Sequence, residues 1–246
     1  MISLDKPTVV LVHGAWADGS SFSAVTAHLQ HHGLTVLHAP NPLRGVPNDT
    51  KAVADFVAQA TTGPVVLVGH SYGGVVITGA ATSLPRVSAL VYVDAFAPAD
   101  GESASSLTNE LPGSLLNVAD PTTVFDFVLP SPDAAQGEYD SYIKRDKFHA
   151  MFAAGIPARE AAVLAASQSP AALAALATPF SGEPAWRTLP SYFFIGTEDR
   201  VLPSAQQTAM AARSGGVVTE EKAPHLAMVT HSRHVAKVII DAAAAI

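Results

Sequence analysis

Residues 65–76 read VVLVGHSYGGVV. The aliphatic run before the first glycine predicts a buried strand, and the apolar run after the last glycine predicts a helix. Ser71 lies between them, with Gly69 and Gly73 two positions away on either side, where a sharp strand-to-helix turn crowds backbone against backbone. Such a turn raises a serine hydroxyl above the carboxyl edge of a sheet, beside a helix N-terminus that favours negative charge. The pattern predicts that Ser71 is a nucleophile.

Short apolar runs alternate with helical patterns on both sides of this turn. Strands buried on both faces of a parallel sheet read as continuous apolar runs, and the helices between them carry apolar residues spaced by three and four. The sequence therefore predicts an α/β fold with a doubly wound, mostly parallel sheet of about six strands. The predicted strands cover residues 8–12, 34–38, 65–68, 87–93, 191–195 and 217–220, and the clearest helical stripes are Val53, Phe56, Val57, Ala60 and Val235, Val238, Ile239, Ala242.

The alternation stops between residues 98 and 189, a stretch rich in alanine and proline. An excursion of about 90 residues is too long for a structureless loop inside a compact domain. We expect a mostly helical cap there, inserted into a core formed by residues 1–97 and 190–246. Helices are predicted at residues 122–129, 139–154, 158–166 and 171–177, and no strand is predicted. An apolar pocket is suggested by Phe125, Phe127, Phe148, Met151 and Phe152.

The composition limits the possible partners. The 246 residues carry a net charge of −7 without a basic run, which argues against nucleic acid or an anionic membrane surface. There is no cysteine, no N-terminal apolar stretch of signal-peptide length and no uninterrupted apolar span of about 20 residues. We expect a cytoplasmic protein that acts on a small neutral molecule without a cofactor or metal; the oligomeric state is left open.

A serine nucleophile needs a base, and in this architecture the chain order is serine, acid, histidine. Four histidines follow Ser71: His149, His225, His231 and His234. His149 lies in the predicted cap, and the last two fall within the final helical pattern without the carboxylate partners that a metal site would need. His225 follows the last predicted strand, at the edge where the base must lie, and is our prediction for it.

The acid and the oxyanion donors are predicted from the same edge. Asp199 and Glu198 follow one buried strand and Asp94 ends another, so each could orient the imidazole; we favour Asp199. The oxyanion donors are predicted to be the backbone N–H groups of Tyr72, after the nucleophile, and Ala15, in the loop after the first strand. His13 is expected to hold that loop.

Four segments together resemble the compact α/β-hydrolases that include plant methyl-ester esterases, such as the salicylate-binding esterases, and plant hydroxynitrile lyases. They are HGA at residues 13–15, GHSYGG at 69–74, DRVLP at 199–203 and HLAM at 225–228. The resemblance extends over nearly the whole chain and implies that the acid is Asp199. It does not extend to residues 17–21 or to the cap sequence, so the substrate preferences of the plant enzymes are not carried over.

Two positions separate the esterases of that family from its lyases. The lyases carry Thr where this chain has Gly14, and Lys where it has Leu226. The resemblance therefore implies a serine carboxylesterase for small apolar esters, with Gly14, Trp16 and Leu226 near the substrate. The alternatives are a hydroxynitrile lyase, another non-hydrolytic enzyme on this fold, and a receptor-like ligand-binding protein that keeps the triad. A dehalogenase would need Asp at position 71.

Overall fold

The computed structural model describes residues 6–135 and 138–246, so the N-terminal residues 1–5, part of the stretch predicted to lack a signal peptide, lie outside the described residues. The described strands form two sheets. The strands are β1 (Thr8–Val12), β2 (Thr35–His38), β3 (Val65–His70), β4 (Val87–Val93), β5 (Phe125–Val128), β6 (Asp140–Ile143), β7 (Ala171–Ala172), β8 (Ser191–Gly196) and β9 (Val217–Glu221).

The larger sheet has six strands in the order β2-β1-β3-β4-β8-β9, all parallel. Every residue of β3, in the middle of the sheet, is buried. The doubly wound parallel sheet of six strands predicted from the apolar runs is confirmed. Because all six strands run in the same direction, the loops after β3, β8 and β9 emerge at one edge.

Ten α-helices occur in the described residues. They are α1 (Ser23–His31), α2 (Val46–Ala60), α3 (Tyr72–Ala80), α4 (Ala104–Glu110), α5 (Arg145–Phe152), α6 (Ala158–Ala166), α7 (Leu173–Ala177), α8 (Ser204–Ser214), α9 (Ala227–Thr230) and α10 (Ser232–Ala244). Val53 and Val57 form the buried stripe of α2, and Val235 and Ile239 belong to that of α10. None of the helices in the described part of the chain has the length and apolar character needed to cross a membrane.

The second sheet corrects part of the prediction for residues 98–189, which we call the inserted segment. No strand was predicted there, but β5, β6 and β7 form an antiparallel sheet. The helix predicted at 122–129 is instead a short 3-10 turn followed by β5, in which half-buried and exposed residues alternate with the period of a strand. The prediction at 139–154 joined a strand and a helix, β6 and α5, and the one at 171–177 joined β7 and α7. Only the helix at 158–166 is observed as predicted.

Pairing explains why these strands were missed. Each is only two to four residues long, and too short to show a periodic pattern in the sequence. They form because each supplies the partner of the next, and β7 is fixed to the core by the N–H of Ala172, which donates to the carbonyl of Leu43 at 2.9 Å. The boundaries of the inserted segment, at residues 97/98 and 189/190, stay a prediction; the segment lies between the end of β4 and the start of β8.

Candidate active site

The turn between β3 and α3 holds Ser71 in a strained conformation. Its φ of 52° and ψ of −123° are outside the backbone regions that residues other than glycine prefer. The turn is tight enough that a Cβ built on Gly69 would lie 2.6 Å from the carbonyl carbon of Gly73, which explains the need for glycine at that position. Strained backbone at a polar residue is often found at functional sites, and Ser71 lines a cavity.

Asp199 and His225 form a buried pair at the same edge. Nδ1 of His225 lies 2.7 Å from Oδ2 of Asp199, and both side chains are fully buried. The other carboxylate oxygen, Oδ1, accepts the backbone N–H groups of Val201 and Leu202 at 2.8 and 2.9 Å. Because both oxygens accept hydrogen bonds, the carboxylate is held as an acceptor and Nδ1 of the imidazole carries the proton.

The opposite ring nitrogen of His225, Nε2, is the predicted base. Nε2 is buried and has no hydrogen-bond partner among the described residues, so the structure does not place Oγ of Ser71 in hydrogen-bond geometry with it. Such bonds are often long or poorly aligned before a substrate is bound. The ring is fixed by packing: its centroid lies 4.8 Å from that of His70 and 5.2 Å from that of Phe152, which meets it edge-on.

Asp94 and Glu198, the other two carboxylates considered for the acid, are not hydrogen bonded to His225 in the described residues. Asp94 is fully buried and accepts the N–H of Gly196 at 2.6 Å, and burial together with nearby Asp199 raises the pKa of its carboxyl group well above the ordinary range. Glu198 lies on the surface, 3.5 Å from Nζ of Lys222. In the structure, Asp199 is therefore the carboxylate of these three that is hydrogen bonded to the imidazole.

The other downstream histidines lie away from this pair. Nε2 of His149 lies 2.8 Å from the carbonyl of Ile156, within the inserted segment. His234 is exposed on α10 and lies 3.2 Å from Glu221, and His231 ends α9. In the described residues no group of three or more His, Asp or Glu side chains could hold a metal ion.

The two predicted oxyanion donors belong to segments that contact or adjoin Ser71, since Gly14 packs against Ser71 and Tyr72 follows it. Tyr72 is the first residue of α3, and the Ala15 amide belongs to the buried loop after β1. Neither N–H donates a hydrogen bond within the described part of the chain, so both are free to meet an oxygen of a substrate. The loop is held from behind, since Nδ2 of Asn41 donates to the carbonyl of His13 at 2.8 Å.

Gly14 packs directly against Ser71. A Cβ at this position would lie 2.6 Å from Cβ of Ser71, 2.9 Å from the carbonyl oxygen of His70 and 3.1 Å from Nδ1 of the same histidine. The threonine that the resembling lyases carry at this position has no space here unless the backbone shifts.

We expect Gly14→Ala to lower the free energy of unfolding by about 1–3 kcal/mol, as overpacking does, and to reduce ester turnover because the nucleophile is displaced. Gly63→Ala is the matched control: its Cβ meets no atom within 4 Å, so we expect a change within about 0.5 kcal/mol. Denaturant unfolding of both variants measures the difference. Equal stability of the two would contradict the packing described here.

A cavity of about 160 Å³ opens at Ser71. Trp16 lines it, and the ring nitrogen of Trp16 donates to the carbonyl of Ser141 at 3.0 Å. Leu226 does not line it: the residue is buried, and its N–H donates to the carbonyl of Phe152 at 3.1 Å. Of the five apolar residues predicted to form a pocket in the inserted segment, Phe125 lines the cavity. The full lining is Trp16, Ser71, Phe96, Ala104, Ser105, Thr108, Asn109, Leu116, Pro121, Phe125, Leu173, Leu176 and Val201.

Sequence reasoning missed His70, whose ring packs against that of His225. The residue is fully buried, and its Nε2 lies 3.0 Å from the carbonyl of His225, so that this nitrogen must be the donor. Burial and the neighbouring His225 ring lower the pKa of His70 well below the ordinary value. His70 is therefore a neutral donor that fixes the loop of His225. The only feature of the sequence that could have indicated this role of His70 is its position next to Ser71 in the motif.

In this chain a strained serine turn follows a central strand of a parallel sheet, and an aspartate and a histidine follow two further strands. This arrangement defines the class of α/β-hydrolase folds. The chain belongs to the alpha/beta hydrolase family, whose model matches residues 9–239.

One curated relative described here matches less than half of the chain, and another matches most of it. A carbendazim hydrolyzing esterase from Nocardioides sp. is 37% identical over 110 residues, which are 40% of this chain and 46% of that protein. The chain thus matches about half the length of that relative. A pyrethroid hydrolase from Sphingobium wenxiniae is 28% identical over 253 residues, covering 95% of this chain and 86% of the relative.

Solved structures share the fold. The crystal structure of a pyrethroid hydrolase from Sphingobium faniae superposes with a TM-score of 0.74 at 24% identity, covering 97% of this chain and 98% of that one. A methylesterase from Arabidopsis superposes with a TM-score of 0.77 at 15% identity, covering 98% and 100%. The predicted resemblance to the plant methyl-ester esterases and their relatives is confirmed at the level of the fold.

Proposed function

We propose that the chain is a serine carboxylesterase that hydrolyses small apolar carboxylic esters through an acyl-enzyme intermediate. The observation that carries the proposal is the state of the His225 ring. Its Nδ1 is bonded to the Asp199 carboxylate, and its Nε2 is a buried nitrogen without a partner in the described residues. A carboxylate bonded to Nδ1 holds the ring in the tautomer whose Nε2 can accept a proton, which supports His225 as the base for the Ser71 hydroxyl.

The proposed reaction has two halves. In the first, Nε2 of His225 takes the proton of Ser71, Oγ attacks the ester carbonyl, and the imidazolium then protonates the departing alcohol. In the second, His225 activates a water molecule that attacks the acyl-enzyme and releases the acid. The Asp199 carboxylate stabilises the imidazolium in both halves without taking its proton.

The negative charge of each tetrahedral intermediate is assigned to the N–H groups of Ala15 and Tyr72. These donors are backbone groups fixed by the turn and the loop, so they need no rearrangement when the charge develops. A single oxyanion donor in another hydrolase contributes about 3 kcal/mol to transition-state stabilisation.

The names of the relatives support the class of reaction. One is called an esterase and another a hydrolase, with carbendazim and pyrethroids as the compounds in their names. Those substrates are not carried over, because the identity is 28% over most of the chain and the better match covers less than half of it. The cavity of this chain is the better guide to substrate size.

We assign the acyl group of the ester to the cavity of about 160 Å³. Its walls at Trp16, Phe96 and Phe125 are aromatic, and Leu176 and Val201 add aliphatic surface. A methylene that does not fit an apolar pocket lowers transition-state binding by about 1–3 kcal/mol. Short, uncharged acyl chains therefore suit the site.

The test is a set of p-nitrophenyl esters from C2 to C12, with a second set of butyrate esters of alcohols of increasing length. We expect the highest kcat/KM between C2 and C4 in the acyl set, with a fall of about tenfold or more by C8. The alcohol set should show a weaker dependence. Dependence on alcohol length instead would reverse the assignment of the cavity and leave the esterase proposal in place.

Two other outcomes would overturn the proposal. Cyanide release from mandelonitrile faster than cleavage of any ester would favour a lyase. Tight binding of an apolar ligand without turnover of any ester would favour a receptor-like protein that keeps the triad.

A further inference from the structure

Asp49, in the first turn of α2, is a fully buried carboxylate outside the catalytic pair. One oxygen, Oδ1, accepts the N–H of Arg44 at 2.9 Å and Nδ2 of Asn48 at 3.1 Å. The other, Oδ2, accepts the N–H of Gly45 at 3.1 Å and the phenol of Tyr72 at 2.9 Å. No counter-ion bonds this carboxylate in the described residues; neutral donors satisfy it. A buried charge held in this way is costly unless every donor stays in place.

The bond to Tyr72 links this carboxylate to the reaction. Tyr72 is the residue whose N–H is assigned to the oxyanion, and its side chain is buried against α2 rather than in the cavity. Burial and the adjacent Asp49 carboxylate raise the pKa of the Tyr72 phenol well above its ordinary value, so the phenol remains a donor. The ring thus fixes the first residue of α3, and with it the direction of the N–H.

The segment at residues 41–45 joins the same carboxylate to the other donor loop and to the inserted segment. Asn41 holds the carbonyl of His13, just before the Ala15 amide. Arg44 forms an ion pair with Asp140 of β6 at 2.5 Å. Leu43 is buried with a φ of 57°, a conformation that aliphatic residues rarely adopt. By binding the amides of residues 44 and 45, Asp49 holds this strained segment in position.

We propose that Asp49 is a positioning residue for the oxyanion site: through the Tyr72 phenol it fixes one oxyanion donor, and through residues 41–45 it supports the loop that carries the other. Asp49 acts through Tyr72 and touches no substrate. The inference rests on the proposed function, since it assigns a role to Asp49 in that same reaction.

The test compares Tyr72→Phe with Tyr92→Phe. Both remove the hydroxyl of a fully buried tyrosine, and the Tyr92 hydroxyl bonds Thr78 at 2.8 Å, seven residues along the chain from Ser71. We expect Tyr72→Phe to lower kcat for p-nitrophenyl butyrate by about 10- to 100-fold with little change in KM, because misplaced donors weaken transition-state binding. Tyr92→Phe should keep the wild-type kcat although it too loses a buried hydrogen bond.

The rate of covalent inactivation by a fluorophosphonate, measured on all three proteins, separates the possible failures. The inference predicts slower labelling of Tyr72→Phe than of Tyr92→Phe. If the wild type is labelled at Ser71 and the two variants react and turn over alike, the role of Asp49 is refuted while the esterase proposal stands. If the wild type neither takes the label nor cleaves esters, both are refuted.

Discussion

Ser71→Ala is expected to lower kcat for p-nitrophenyl butyrate by about 10⁵-fold or more. Removal of the nucleophile from a serine protease has an effect of this order, because the remaining donors and the base cannot form the acyl-enzyme. The turn itself should survive, since the strain at residue 71 is in the backbone and alanine keeps the Cβ of serine.

Ser83→Ala is the control for this substitution. Ser83 is exposed just beyond α3, where its hydroxyl lies 3.1 Å from the carbonyl of Ala80. We expect its kcat to match that of the wild type. Circular dichroism and thermal unfolding check that both variants fold. A purified Ser71→Ala protein with more than a few per cent of the wild-type rate would exclude Ser71 as the nucleophile.

Asp199→Asn is expected to lower kcat by about 10⁴-fold, the magnitude seen when the acid of a serine protease triad becomes an amide. The side-chain oxygen of the asparagine would remain with the N–H groups of Val201 and Leu202, which both donate to Oδ1. Its NH₂ group would then face His225 and drive the proton from Nδ1 to Nε2. A ring protonated at Nε2 cannot accept the proton of Ser71.

Asp94→Asn is the matched comparison, because Asp94 is equally buried and lies at the end of the neighbouring strand. Asp94 bonds the backbone N–H groups of Gly196 and Ala227 and no imidazole in the described residues, and the amide oxygen of an asparagine can keep the bond from Gly196. We expect a loss of kcat below tenfold. The reverse ranking of the two variants in steady-state kinetics would make Asp94 the acid.

The sequence predicts the core of this fold well because the core strands are buried on both faces. A strand such as β3 has no solvent face, so its composition alone identifies it. The chain order of serine, acid and histidine then restricts the base to few candidates, and His225 is the one that the structure places beside Asp199. The position of Asp199 after a core strand favoured it over Asp94 and Glu198, the resemblance implied the same residue, and the structure places it 2.7 Å from the imidazole.

The inserted segment could not be predicted in the same way. Its strands are short, and they form only because β6 finds partners on both sides. The cavity walls come from residues as distant as Trp16 and Val201, and no local pattern brings them together. Asp49 reads in the sequence as an acidic residue in the first turn of a helix, which is common for electrostatic reasons. Its bond to Tyr72 depends on the packing of α2 against α3.

Mass spectrometry after brief treatment with a fluorophosphonate tests most directly whether one serine at residue 71 is activated by the buried imidazole. The account predicts a single adduct, located after digestion in the peptide that contains Ser71, and formed far more slowly in Asp199→Asn. An adduct on another serine, or no adduct on a folded wild-type protein, would contradict it.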